Sequence, residues 1–257
     1  MNPFKECSRD DVKGLMEEYI QTLSSPIDSF LENHILNSKF YQIYAGSFMI
    51  GYFAIHNNEK MTQFYIRQSH LHLAQDTFKQ VLECYFIRSL FVPTCDELFL
   101  GLALDQDFKI EKQAYFFQDS KQQRASESLY SGGEFRLARE EDVPGIIAIS
   151  GDFFQLADEM AEKEELFTFT KDDILLGVGV FERSKLLNGY ASIGMFTNES
   201  YRQQGVGQTI IDHLKRWCYE HHMIPICGCW YYNTNSKKTL ERAGMVTKTI
   251  LLNFVVE

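Results

Sequence analysis

The sequence predicts an α/β protein in which one order of elements occurs twice in tandem. Two observations carry this reading. Residues 190–217 run as an apolar strand, a glycine-containing turn and an amphipathic helix. Each half of the chain also passes through helix, helix, three strands, helix, strand, a short segment and a last strand. A chain of 257 residues is long enough for two small domains, and 45% hydrophobic with 14% aromatic residues suits packed cores rather than disorder.

Taken in order, Asp10-Asp11-Val12 opens a helical pattern through Leu15, Met16, Tyr19, Ile20 and Leu23, which closes at Ser24-Ser25-Pro26. A second helical segment covers 27–33. Residues 40–45, 48–55 and 61–66 read as three strands, with Gly46-Ser47 and Asn57-Asn58-Glu59 as the turns. A helix over 71–90, a strand over 97–104 and a strand over 114–117 complete the first half. The polar stretch 118–134 contains the linker, placed at 121–134, so the domains are expected at 1–120 and 135–257. In the second half Phe135 to Val143 runs from a strand into a helix. Strands follow at 166–169, 174–181 and 189–196, then a helix whose Ile210, Ile211, Leu214 and Trp217 share one side. A strand over 224–230 leads to a helix over 237–243, capped by Asn233 or Asn235 and ended by Gly244.

The turn between the strand at 190–197 and its helix, Tyr201-Arg202-Gln203-Gln204-Gly205-Val206-Gly207, has the makings of an anion site. Glycines let the backbone approach a ligand, and the unpaired N–H groups of a helix's first turn point at it. Spacing narrows the choice of phosphate-bearing cofactor. A dinucleotide fingerprint needs a third glycine where Ile210 stands, and a nucleotide-hydrolase loop needs Gly-Lys-Ser/Thr where Gln208-Thr209 follow Gly207. What remains is Arg-x-x-Gly-x-Gly over 202–207. Downstream stands Asn233-Thr234-Asn235-Ser236, and then Gly244-Met245.

Together these motifs resemble those of the GCN5-related N-acetyltransferases (GNAT), whose acyl-CoA pyrophosphate loop reads Arg/Gln-x-x-Gly-x-Gly/Ala. In that family a later strand is followed by Asn-x-x-Ala/Ser and a helix ending in Gly-Phe. The resemblance covers about the last half of the chain. It implies the acyl-CoA N-acyltransferase fold, a mixed central sheet flanked by helices, here in two tandem copies. It also implies acetyl-CoA as co-substrate, no metal, and direct attack of an amine on the thioester. Gln203, Gln204, Gly205, Val206, Gly207 and Gln208 would then offer backbone donors to the pyrophosphate, with charge from Arg202. Met195, Phe196 and Thr197 would pair with the pantetheine amides and polarise the carbonyl. Asn233 would contact the pantetheine arm or cap its helix, and Ser236 completes that motif.

Two positions depart from the family pattern. The tyrosine acid expected seven residues after Asn233 is Leu240, and the acidic base expected on the central strand is Ser192. Ser192 and Tyr232 are therefore the candidates for proton transfer, with Tyr231, Cys229, Tyr190 and Glu182 as further replacements and a water chain as another route. The first copy reads Arg67-Gln68-Ser69-His70-Leu71-His72-Leu73 at its loop and has no glycine there, so it is expected to bind no CoA and to serve as scaffold or substrate wall.

A net charge of −10 argues against nucleic acid or an anionic membrane as the main partner and suits a cationic small-molecule or peptide amine. No stretch reaches the length of a membrane span, and the first ten residues lack a signal-peptide core. A cytoplasmic monomer or homodimer is the expectation. Cys227 and Cys229, behind His221 and His222, invite a zinc reading, yet they sit at alternate strand positions and suit packing better. The function expected is acetyl transfer to a primary amine. A CoA-binding regulator or lapsed enzyme explains the two departures, and an aminoacyl-tRNA-dependent transferase lacks a basic stripe for RNA.

Overall fold

The computed structural model describes residues 3–121, 130–154 and 156–256. Most of the expected linker, residues 122–129, lies outside the described residues. The chain opens with β1 (Phe4–Cys7), α1 (Lys13–Thr22), α2 (Ser29–Leu36), β2 (Ser38–Ala45), β3 (Phe48–His56) and β4 (Lys60–Ile66). It continues through α3 (Ala74–Cys84), β5 (Ser89–Pro93), α4 (Glu97–Leu104) and β6 (Lys109–Asp119). The order then resumes with β7 (Glu134–Leu137), α5 (Val143–Ser150), α6 (Ala157–Glu162), β8 (Leu166–Lys171), β9 (Ile174–Arg183) and β10 (Tyr190–Thr197). It closes with α7 (Val206–Glu220), β11 (Ile224–Trp230), α8 (Thr234–Arg242) and β12 (Met245–Val255). Two compact units result: Met1–Phe116 with Lys248–Glu257, and Phe117–Thr247.

In the first unit β1, β2, β3 and β4 form an antiparallel meander, and β4 joins β5 in parallel through Lys60–Ser89 and Met61–Leu90. The second unit repeats this, with β7, β8, β9 and β10 antiparallel and β11 parallel to β10. Each is a mixed sheet flanked by helices, as expected. Burial shaped the strands: β3 and β4 are buried on both faces, which accounts for their nearly continuous apolar runs.

Three expectations differ from the structure. Residues 97–104, expected as a strand, form α4. After Glu97 the run Leu-Phe-Leu-Gly-Leu-Ala-Leu carries no polar side chain, so periodicity alone does not separate strand from helix. Asp96 decides it locally, since its side chain accepts the Phe99 amide and caps the helix. The strand of this region is β5, which takes the last two residues of the expected helix over 71–90 and runs beyond it; the helix itself ends at Cys84. Finally, the expected second domain, 135 to the end of the chain, is too long. Residues 248–257 belong instead to the first unit, where β12 covers the edge of β5 from Leu251–Pro93 to Val255–Ser89.

Candidate active site

The site is built where two parallel strands part. β10 and β11 are paired only from Tyr190–Ile224 to Ser192–Ile226. Beyond that point β10 stays paired to β9 as far as Thr197–Gly177, and β11 runs on to Trp230. The edge of β10 facing β11 thus offers backbone donors and acceptors over Ile193 to Thr197, to which an extended ligand with amides can add as a strand does. Met195 and Thr197 face α7, while Phe196 lies on the opposite face against Phe153 and Phe154, with ring centroids 5.3 and 6.0 Å away.

After β10 the chain turns through Glu199–Tyr201, with the Asn198 side chain accepting from the Ser200 amide. Gln203 (φ 62°) and Gly205 (φ 89°) are both left-handed, and this backbone path delivers the chain into α7. Gly205 is the N-cap residue and no side chain caps the helix, so the first-turn amides of Val206, Gly207 and Gln208 remain open to a ligand. No acidic residue stands in that first turn. Gly207 is closely packed: a Cβ there would meet Thr197 Oγ1 at 3.1 Å and Thr239 Cγ2 at 3.2 Å, so both side chains would have to give by a few tenths of an ångström. A dipole-positive helix end, stripped of side chains, is what an anionic phosphate group fits. Arg202 is exposed and pairs with Glu199 at 2.9 Å, while Gln204 donates to the Ser200 carbonyl; Gln203 lies exposed on the loop.

Of the two candidate caps, Asn233 is the one used: its Oδ1 accepts the Ser236 amide at 3.0 Å. Ser236 therefore serves α8 with its backbone. Ser192 is 7% exposed and is the last residue of β10 paired to β11, at the closed end of the gap. Tyr232 lies just past β11, 59% exposed, with its ring 5.2 Å from those of Trp230 and Tyr231. Leu240 is buried in α8 and Tyr190 stands at the far end of β10 from the loop. Among the described residues no group of three or more His, Cys, Asp and Glu side chains is placed to hold a metal.

One feature had no signal in the sequence. Lys215, on the polar side of α7, is only 13% exposed and pairs with Asp119 (4% exposed) at 2.8 Å. It also donates to the Ala243 carbonyl at the end of α8, and Tyr219 donates to Asp119. That ion pair ties the two helices flanking the gap to β6. Its partners stand 96 residues apart (215 − 119), which no local pattern can reveal. Burial, then the hydrogen bond to Asp119, pushes the Tyr219 hydroxyl up, and burial likewise pushes Asp212 up.

Comparison with known proteins agrees with this fold. A profile described as "Acetyltransferase (GNAT) domain" matches residues 8–120, and one described as "Acetyltransferase (GNAT) family" matches 134–245. Between them they span most of the chain, which belongs to the GNAT family with two such domains in tandem. A GNAT-family acetyltransferase from Colwellia psychrerythraea is similar over 99% of both chains, with TM-score 0.89 and 18% identity. A GCN5-related N-acetyltransferase from Sphaerobacter thermophilus matches over 98% of this chain and 95% of its own (TM-score 0.69, 11% identity). A tandem GNAT protein from the clavulanic acid biosynthesis pathway matches over 99% and 98% (TM-score 0.64, 10% identity). At such identities these likenesses concern the fold. The curated proteins compared gave no match.

Proposed function

We propose that the second unit is an acetyl-CoA-dependent N-acetyltransferase for a primary amine, either a small molecule or a peptide. The observation that carries this is the open N-terminus of α7 behind Gly205, set beside the unpaired edge of β10. Acetyl-CoA supplies the activated acetyl group. The amides of residues 203–208 hold the pyrophosphate, and the backbone of Met195, Phe196 and Thr197 pairs with the pantetheine amides. An amide of this edge aims at the thioester oxygen and stabilises the charge that develops there. Asn233 caps α8 and lies beside the arm. Tyr232, at the β11 side of the gap, gives its proton to the departing thiolate. The acidic net charge supports a cationic acceptor over nucleic acid.

The exposure of Tyr232 and the Leu240 and Ser192 departures favour a second reading, a CoA-binding protein without turnover. Calorimetry with acetyl-CoA on the wild type and on Gly205→Glu/Gly207→Glu tests the binding site. The expected result is binding by the wild type and loss of at least 100-fold in the double variant, equivalent to about 2.7 kcal/mol. A wild type that does not bind ends both readings. Turnover over a panel of primary amines separates them.

A further inference from the structure

We infer that Glu182 is the acceptor-side base, taking a proton from the substrate ammonium across the Ser192 hydroxyl. This deepens the proposed acetyl transfer and rests on it. The carboxylate missing from β10 is supplied by the neighbouring strand. In the antiparallel register of β9 and β10, Glu182 stands directly opposite Ser192. Such partners project from the same face with Cβ atoms about 4.5–5.5 Å apart. Ser192 closes the gap between β10 and β11, so a carboxylate behind it lies one hydroxyl away from that gap.

The same face offers room for an acceptor. Two residues along from Ser192 stands Gly194, and a Cβ built there meets a single neighbour, Val180 Cβ, at 3.6 Å. Phe196 follows on that face, packed beside Phe153 and Phe154 of the segment after α5. An amine entering between Ser192 and Phe196 would find a floor without a side chain, an aromatic wall and a carboxylate at its inner end.

Glu182 also has a carboxylate neighbour. Glu165, whose carbonyl accepts the Phe181 amide at 2.8 Å, has its carboxyl pushed up by burial and then by the charge of Glu182, with Lys163 and Lys185 acting in the opposite sense. The other charged neighbour on the strand, Arg183, leans over the Phe181 ring at 6.0 Å. Two carboxylates here attract an ammonium, which arrives as R–NH3+. One N–H proton passes to Glu182 through Ser192. The amine nitrogen then bonds to the thioester carbon as the C–S bond breaks. The second N–H proton restores the one that Tyr232 gives to sulfur, so the products are the amide, the thiol and one proton released to solvent.

The test is Glu182→Gln, followed by acetyl-CoA calorimetry and by turnover with three probe amines: spermidine, tyramine and a lysine-containing peptide. The inference expects unchanged acetyl-CoA affinity, turnover slowed at least 100-fold, and loss of the acid limb in the pH profile of kcat/KM. Ser192→Ala should slow turnover less, about tenfold, since water can bridge. Calorimetry reports whether each variant is folded at its cofactor site. A Glu182→Gln protein that binds acetyl-CoA and turns over within twofold of wild type, with its acid limb intact, overturns the inference and leaves the acetyltransferase reading standing. A wild type that binds acetyl-CoA and acetylates none of the probes removes both.

Discussion

In the first unit β4 and β5 pair through Met61–Leu90 and then part; in the second β10 and β11 do the same after Ser192–Ile226. Each outer strand of these pairs leads to a helix capped by its own side chain, Asp96 for α4 and Asn233 for α8. The loops between strand and helix are where the units diverge. After β10 two left-handed residues present an uncapped helix end without acidic residues. After β4 the chain winds through a 3-10 run over Gln68–Leu73 that uses amides internally, the Ala74 amide bonding Leu71 O, before α3 begins with Asp76 in its first turn. Arg67, the residue that opens this loop, is tied to Glu18 at 2.7 and 3.0 Å and donates to the Met49 carbonyl. A phosphate would meet a carboxylate at the helix end and an arginine already engaged. One skeleton thus carries a glycine-led, uncapped helix end in one copy and a turn that uses its amides internally in the other, through a single short loop.

The contrast can be broken at its strongest point with Lys215→Ala. Leaving Asp119 buried beside Tyr219 without its cation should cost about 3 kcal/mol in denaturant unfolding and loosen acetyl-CoA binding. A loss below about 1 kcal/mol would show that the pair does not anchor α7 and α8. The two caps provide the next comparison. Burial lifts the Asp96 carboxyl to about 6, partly opposed by the Phe99 amide. Below about pH 4 both folded and unfolded chains hold this proton. As pH rises from about 4 to 6 the unfolded chain ionises first, so stability falls by roughly 2–3 kcal/mol across that window. Asp96→Asn, which keeps the cap and resembles Asn233, should flatten this fall and stabilise the protein at neutral pH. An unchanged pH slope in urea melts would refute it.

Smaller effects sharpen the distinction between the loops. Gly207→Ala forces Thr197 and Thr239 to yield to a Cβ at 3.1 and 3.2 Å, and about tenfold weaker acetyl-CoA binding is expected, about 1.4 kcal/mol. Calorimetry showing no change would mean the helix end has slack. Arg67→Ala should leave that affinity untouched and cost about 1 kcal/mol or less by thermal melting, because both partners of this pair are more than a third exposed. The Glu18 carboxyl, held low chiefly by its hydrogen bond from Arg67, makes that small contribution available above about pH 4.5 and loses it on acidification.

Legibility followed range along the chain. The hairpin of β3 and β4 was readable because Asn57-Asn58 punctuates two apolar runs, and both asparagines do adopt positive φ. The turn into α7 was readable because Gly205 stands in it, and that glycine does adopt a left-handed conformation. Residues 97–104 misled because the apolar run after Glu97 shows no polar period, although only Phe99, Leu102 and Ala103 are buried, and the decisive Asp96 cap lay just outside it. The pairing of β12 was missed because its partner β5 is far away along the chain, and the place of Glu182 opposite Ser192 depended on a strand register set by the hairpin joining β9 and β10.

By itself, then, the amino-acid sequence determined the fold class, the tandem arrangement and the glycine-bearing turn that leads into α7, since each rests on backbone preferences and spacing within a single turn or strand. The tertiary structure alone decided which strands part, which edge β12 completes, that Lys215 is buried against Asp119, and which carboxylate backs Ser192. Those depend on contacts between residues distant in the chain, whose energies come from packing and desolvation after the strands have chosen partners, and no local pattern encodes that choice.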